Sequence, residues 1–403
     1  MNKGLKPLLG AYGPWMADAF GTRYEYSFPN ERWTDVSAWS RDARALFSSY
    51  VLSPDLVMPK VELEDRRTLD GLVIEKLSWR LPFGPKTEAY FLKPHGSSGR
   101  LPAVLALHDH GANKYFGKQK IATASETVHP YVQSYRDVYY GGRAWANELA
   151  KRGYGVLVHD IFPFESRKII ASELPGLVVE RMMLPPEELK ELTPDDLQSG
   201  SICTEFDVSE TETSEEIDRY NAFAGQYEST IAKSLFSAGF TWPGIVLAED
   251  RIALDYLASR PDIDPERIGC GGLSGGGLRT NYLAGSDSRI RCSVTAGFMT
   301  TWSDFVMNTS YTHTWMIYVP GLSRYMDYPD ILAMRTPLPS LVQSTRHDPL
   351  FTQSEVHRAE SVLQNTYLKA GFSDRFKMSY YDGPHKFDVP MQEEAFAWFD
   401  RWL

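Results

Sequence analysis

The pentapeptide Gly272-Leu273-Ser274-Gly275-Gly276 is the one place in the chain where a serine has glycines two positions before and two after it. Alone, it reads as a glycine-rich turn. Its setting says more, because 267–272 is a β-forming run and 275–284 suits a helix. A strand that turns abruptly into a helix leaves its corner residue strained and exposed, and small neighbours let the two elements nearly touch. Ser274 is therefore the candidate nucleophile. The backbone N–H of Gly275, at the helix start, is placed to face an oxyanion. A phosphate cradle is excluded by residue type: no G-x-G-x-x-G can be laid on 269–277, and no Gly-Lys-Ser/Thr follows.

A serine hydroxyl at neutral pH needs a base within hydrogen-bond reach. Four histidines follow Ser274: His313, His347, His357 and His385. His357 falls inside an expected helix. His347 beside the next strand has no assignable task. His385, in Tyr381-Asp-Gly-Pro-His-Lys-Phe387, lies in a loop between a strand and the terminal helix, so it can reach across the sheet top. It is the candidate base. Asp348, in Arg346-His-Asp-Pro-Leu350 at the end of the strand expected at 339–345, is the candidate acid that orients the imidazole. An Asp-Pro pair is also ordinary turn chemistry. Asp382 and Asp388 lie too close in sequence to His385 to come first.

The run His108-Asp109-His110 follows the apolar strand at 102–107. Two histidines alternating on a strand occur in zinc sites, but no third and fourth ligand follow at recognisable spacing and there is no H-E-x-x-H. No metal is expected. His108 and His110 are read as bordering the substrate pocket, with Trp302 and His313 as further pocket candidates. Asp160, Glu165 and Arg167, after the next strand, are read as caps and ion pairs that hold loops.

These residues need a frame. Strand-like runs fall at 71–79, 88–93, 102–107, 154–159, 267–272, 291–297, 339–345 and 376–381. Helices are expected near 35–50, 142–152, 214–238, 244–259, 275–284, 353–370 and 390–402. The alternation points to a mostly parallel sheet with crossover helices. Residues 1–65 read as an N-terminal helical extension and 66–403 as the catalytic domain. Within it, 165–240 is a helical insertion, with helix starts at Thr193-Pro194 and at the capping box Thr213–Glu216.

Composition is that of a globular protein, with 43% apolar and 23% charged residues. The net charge is −10, and residues 185–230 carry thirteen acidic side chains against Lys190 and Arg219. With no basic block, neither nucleic acid nor an anionic membrane is an expected partner. The three cysteines, Cys203, Cys270 and Cys292, are too scattered for a disulfide framework and suit reduced thiols in a cytoplasmic protein. No signal peptide or membrane-spanning run is read.

Taken together, LHDHGA at 107–112, VHDIFPFESR at 158–167, GLSGG at 272–276, RHDPLF at 346–351 and GPHKF at 383–387 resemble the serine α/β-hydrolase superfamily. The closest likeness is to its acetyl-xylan-esterase and dienelactone-hydrolase-like branch, which includes cephalosporin-C deacetylase-like enzymes. The resemblance spans about 100 to 400 in the family order of nucleophile, acid, histidine. It implies an eight-stranded, mostly parallel sheet flanked by helices, acyl transfer through an acyl-enzyme, and catalytic roles for Ser274, Asp348 and His385. It also implies a second oxyanion donor from the loop after strand 102–107, for which Gly111 and Ala112 are candidates. Dienelactone hydrolases use a cysteine where this chain has Ser274, and the insertion and extension exceed the minimal fold.

The expected function is thus a serine carboxylic-ester hydrolase acting on a small or carbohydrate-linked ester, with no cofactor. The acidic insertion would form a lid that favours neutral over anionic esters. The alternatives are an amidase or peptidase with the same residues, a metal-dependent hydrolase built on His108, Asp109 and His110, and a non-catalytic binding protein. A homo-oligomer is allowed.

Overall fold

The computed structural model describes residues 7–20, 24–176, 178, 182 and 213–403. One nine-stranded sheet organises the chain: β1 (Glu62–Leu69), β2 (Leu72–Trp79), β3 (Thr87–Pro94), β4 (Leu101–Ala106), β5 (Gly155–His159), β6 (Ile263–Leu273), β7 (Ile290–Ala296), β8 (Ser340–Thr345) and β9 (Phe376–Tyr381). The spatial order is β1-β2-β3-β5-β4-β6-β7-β8-β9. β1, β2 and β3 form an antiparallel meander that joins β5 antiparallel, and every pairing from β5 to β9 is parallel. The sheet is mixed, with one strand more than the eight expected. The extra strand is β1, ELEDRRTL, an edge strand exposed along most of its length. It makes no apolar run because it buries almost nothing, and it crosses the expected end of the extension at residue 65.

The α-helices of six residues or more among the described residues are α1 (Gly13–Ala19), α2 (Val36–Val51), α3 (Pro130–Tyr139), α4 (Trp145–Lys151), α5 (Ser214–Ser237), α6 (Trp242–Ser259), α7 (Gly275–Ser286), α8 (Tyr328–Ala333), α9 (Gln353–Lys369) and α10 (Val389–Trp402). Their starts follow capping chemistry. Thr213 and Glu216 close the capping box on α5, Thr241 caps α6 ahead of Pro243, and Asp388 caps α10 ahead of Pro390. α3 lies in a stretch where no helix is expected from the sequence. It buries only Val132, Tyr135 and Arg136, too few apolar residues to show a period. Among the described residues, no single helix is long and apolar enough to cross a membrane.

β5 and β8 are buried along their whole length, as strands covered on both faces must be. One core cluster joins the sheet to α6, α7 and α9, and it takes in Phe28, Trp39, Phe47 and Val51 from the N-terminal region. A second lies on the opposite face under α4 and α10. The N-terminal region therefore shares the main core. Ser40 donates to the Met334 carbonyl, and Lys369 donates to the carbonyls of Phe28 and Asn30. A third, smaller cluster packs α5 residues Ile217, Tyr220 and Phe223 over Tyr115 and Phe116. The helix start expected at Thr193-Pro194, and Cys203, lie outside the described residues.

Candidate active site

β6 ends at Leu273 and α7 begins at Gly275, so Ser274 is the whole of the turn. Its backbone has φ 55° and ψ −118°, a conformation that costs a non-glycine residue about 1–3 kcal/mol and persists only where the surroundings impose it. They do so here. The Ser274 N–H donates to the Ala296 carbonyl of β7 at 2.8 Å, and its carbonyl accepts the first helical bond from Leu278. A β-carbon on Gly272 or Gly276 would stand 2.2 or 2.1 Å from the Leu107 carbonyl oxygen, so both positions require glycine. Ser274 is half-buried between buried neighbours, and its side chain caps nothing.

On the opposite side, Asp348 follows β8 and His385 follows β9. His385 Nδ1 lies 2.6 Å from Asp348 Oδ2, and the other carboxylate oxygen accepts the Leu350 N–H at 2.9 Å. The carboxylate can only accept, so Nδ1 carries the proton and Nε2 offers its lone pair. Nε2 is buried and has no hydrogen-bond partner among the described residues. The ring rests on Gly297, where a β-carbon would meet His385 Cε1 at 2.9 Å and Leu273 Cδ1 at 3.0 Å. Gly297 immediately follows Ala296, the residue that anchors Ser274. One glycine thus makes room for the imidazole beside the serine corner.

The loop after β4 closes the third side. A β-carbon on Gly275 would stand 2.6 Å from the His110 backbone nitrogen, so the backbones of Gly275 and His110 approach closely here. Of the two loop positions expected to donate, Ala112 is otherwise engaged. The Ala112 N–H donates to His110 Nδ1 at 3.1 Å, and Gly111 packs so tightly against Tyr135 and the Asp109 carboxylate that a β-carbon there would collide with both. With Nδ1 accepting, His110 carries its proton on Nε2 and donates to Glu228 Oε1 at 2.6 Å. Burial, and Lys114 alongside, push the His110 pKa below its usual value.

The remaining pocket candidates divide. His108 is 1% exposed, stands edge-on to Phe164, and is pushed well below its usual pKa by burial and by Arg279. It faces the interior. Trp302 is 3% exposed and meets Tyr328 edge-to-face, so it belongs to the core. His313 is half-buried, its Nε2 donates to the Leu350 carbonyl at 2.9 Å, and burial pushes its pKa down to about 4. His357 lies on α9, against Tyr380.

The side chains of His108, Asp109 and His110 do not converge. His108 Nδ1 is bonded to the Asp109 carbonyl, the Asp109 carboxylate accepts from the Tyr135 and Tyr140 hydroxyls, and His110 turns to Glu228. Among the described residues no group of three potential ligands is assembled for a metal.

Sequence reasoning missed the groups that hold this loop. Arg279, on α7, donates to the His108 carbonyl at 3.2 Å and is paired with Asp250 at 2.7 Å. Lys120 donates to the carbonyls of Asp109 and His110. Nothing in the order of residues marks Lys120, because a lysine in a polar stretch ordinarily reads as surface. Glu165 and Arg167 hold loops as expected, Glu165 pairing with Lys118 and Arg167 with Glu249 at 2.6 Å.

Residues 242–366 match the family model described as the prolyl oligopeptidase family, which covers α6, β6, Ser274, Asp348 and most of α9. A Bacillus subtilis (strain 168) protein designated by name as a hydrolase, YtaP, is 24% identical over 332 residues, 82% of this chain and 88% of its own. Among solved structures, a Bacteroides fragilis NCTC 9343 protein designated an acetyl xylan esterase superposes with a TM-score of 0.65 at 17% identity, covering 93% of this chain and 83% of that one. A glucuronoyl esterase from Solibacter usitatus gives 0.55 at 12% identity, covering 94% and 93%. With the strand order and the serine corner, these likenesses establish the fold.

Proposed function

We propose that this α/β-hydrolase is a serine carboxylic-ester hydrolase. The observation that carries the reading is the pairing of Asp348 with His385 Nδ1, which leaves Nε2 unpartnered beside the strained Ser274 corner. His385 Nε2 takes the Ser274 proton as Oγ attacks the ester carbonyl. Asp348 keeps Nδ1 protonated and stabilises the imidazolium that forms. The N–H groups of Gly275 and His110 receive the developing oxyanion. Each such donor contributes on the order of 3–4 kcal/mol to the transition state. Collapse of the tetrahedral species expels the alcohol, protonated by His385, and leaves an acyl-enzyme. Water, activated by the same nitrogen, then releases the acid. No step calls for a cofactor.

The names of the similar structures support a carbohydrate-linked ester as the substrate class. Segment 242–366, similar to the prolyl oligopeptidase family, favours a second reading in which the same residues cleave an amide. A matched ester and anilide pair separates the two by rate.

The test is covalent labelling. A fluorophosphonate probe is expected to modify Ser274, mapped by mass spectrometry, with parallel loss of p-nitrophenyl acetate hydrolysis. Absence of an adduct, with activity lost to a chelator instead, would overturn the serine mechanism.

A further inference from the structure

Lys120 is a fully buried lysine on the far side of the oxyanion loop. Its Nζ donates to the Asp109 carbonyl at 2.8 Å and to the His110 carbonyl at 3.0 Å, and lies 3.5 Å from Asp109 Oδ2. The ring centroids of Phe164 and Tyr135 stand 5.1 and 5.4 Å away. The Lys120 backbone is fixed as well: its N–H donates to the Gly117 carbonyl, and its own carbonyl accepts Arg136 Nε. In a trans peptide the C=O and N–H point to opposite sides. A cation gripping the Asp109 oxygen therefore aims the His110 N–H the other way, to the side where Gly275 lies. It also draws electrons through the peptide and makes that N–H a better donor.

We propose that Lys120 is a positioning residue for ester hydrolysis, whose ammonium group behind the Asp109–His110 peptide holds the oxyanion-binding N–H of His110 in place. The proposal rests on the serine-hydrolase reading above. Losing the proton on Lys120 removes one donor and the charge that polarises the Asp109–His110 peptide, and so weakens the hold on it.

This ties turnover to pH. Burial pushes the Lys120 pKa down to about 8. Asp109 and Glu165 oppose that fall, and Lys114 adds to it. Other charged or titratable groups among the described residues also surround it. Tyr135 and Tyr140 bond the Asp109 carboxylate, Arg136 of α3 holds the Lys120 carbonyl, and Glu228 of α5 balances Lys114 and His110. His108 lies within electrostatic reach of it, and Lys118 shares its short helical turn. The sign is clear: the competent form is protonated, so activity is present below about pH 8 and falls above it. The fall is not unfolding caused by this group. A lysine whose native pKa lies below its unfolded value is a lesser burden on the fold once neutral.

The experiment is the pH dependence of kcat and KM on a non-ionising ester, with fluorophosphonate labelling of Ser274 measured at each pH. In the wild-type protein, kcat is expected to fall about tenfold per pH unit above about pH 8, with KM changing little. Lys120→Arg keeps its charge throughout and is expected to move that limb beyond pH 10. Lys120→Met is expected to lose about a hundredfold in kcat and to lose the limb. A wild-type kcat that is flat from pH 7 to 10, or a limb unmoved in Lys120→Arg, overturns the proposal, and the wild-type profile decides even if a variant fails to fold. Labelling of Ser274 that does not vary from pH 7 to 10 also overturns it, while sparing the serine mechanism. No labelling at any pH overturns both.

Discussion

The two sides of Ser274 are built on opposite plans. On the base side, one carboxylate holds one ring nitrogen, and the other nitrogen of His385 is left without a partner among the described residues. On the oxyanion side the carbonyls and most side chains of the loop are tied. The carbonyl of His108 is held by Arg279, those of Asp109 and His110 by Lys120, the Asp109 carboxylate by two tyrosines, and both nitrogens of the His110 ring are engaged. The difference follows from the work asked of each side. A base that takes and returns a proton needs an open lone pair, whereas a dipole that stabilises charge works best when it cannot reorganise. Burying Lys114, Lys118, Lys120 and Arg279 carries a desolvation cost that only complete pairing offsets, and the carboxylates of Asp109, Asp160, Glu228 and Asp250 stand against them.

The strongest way to break the contrast is at the open side. Asp348→Asn keeps the shape but replaces an acceptor-only group with one that can donate to Nδ1. The imidazole then turns its lone pair toward residue 348 and its proton toward Ser274, the wrong tautomer for a base. Turnover is expected to fall about a thousandfold or more, with ester binding nearly unchanged. Steady-state kinetics with p-nitrophenyl acetate, together with the rate of fluorophosphonate labelling, measures this. A loss below about tenfold would mean that Asp348 does not set the tautomer.

The tied side is expected to fail differently. In Gly275→Ala the new β-carbon is due 2.6 Å from the His110 nitrogen, with the Asp109 carbonyl carbon at 3.3 Å. A free loop would move aside. This one is held by Lys120 and Arg279, so the conflict displaces the donor pair itself. A loss of about a hundredfold in kcat is expected, at similar KM. Gly225→Ala is the control: its β-carbon meets nothing within 4 Å on exposed α5, so activity should be untouched and stability should rise by about 0.5–1 kcal/mol. Equal activity in the two variants would show that the loop yields, and would refute the idea of a rigid oxyanion side.

The same contrast explains what could be read from the sequence. The open side was legible because it is made of residues whose types are rare in that order: a serine between spaced glycines, an aspartate after a buried strand, a histidine ahead of the last helix. Strand β5 was legible for a similar reason, since it is buried along its whole length and shows as an apolar run. The tied side was not. Lys120, Arg279 and Glu228 act through pairings 10, 171 and 118 residues apart in the chain, and each alone reads as a surface charge. Gly297 was equally silent, because only the fold shows that His385 lies across it. β1 and α3 escaped because each buries too little apolar surface to make a period.

The smallest expected effect on turnover is at the outer rim of the tied side. Glu228 comes from α5, in the acidic insertion. Its Oε1 takes the His110 Nε2–H and the Lys114 ammonium, both at 2.6 Å, and its Oε2 accepts the Trp315 N–H. Glu228→Gln leaves His110 an acceptor, so the loop keeps its shape and kcat should fall less than tenfold. Stability should suffer more, because Lys114 stays buried without its counter-charge, at a cost on the order of 3 kcal/mol. The sign with pH is set by the depressed Glu228 carboxylate. Although burial opposes it, His110 and Lys114 hold its pKa below the ordinary 4.5. Its stabilising contribution is therefore complete above that value and is lost as pH falls below it. Thermal melts from pH 7 down to pH 3.5 should show a steeper decline for the wild-type protein than for Glu228→Gln, the gap between the two curves narrowing toward the acid end. Parallel curves would mean that the Glu228 charge does not stabilise the loop, and that Lys120 and Arg279 hold it without help from the insertion.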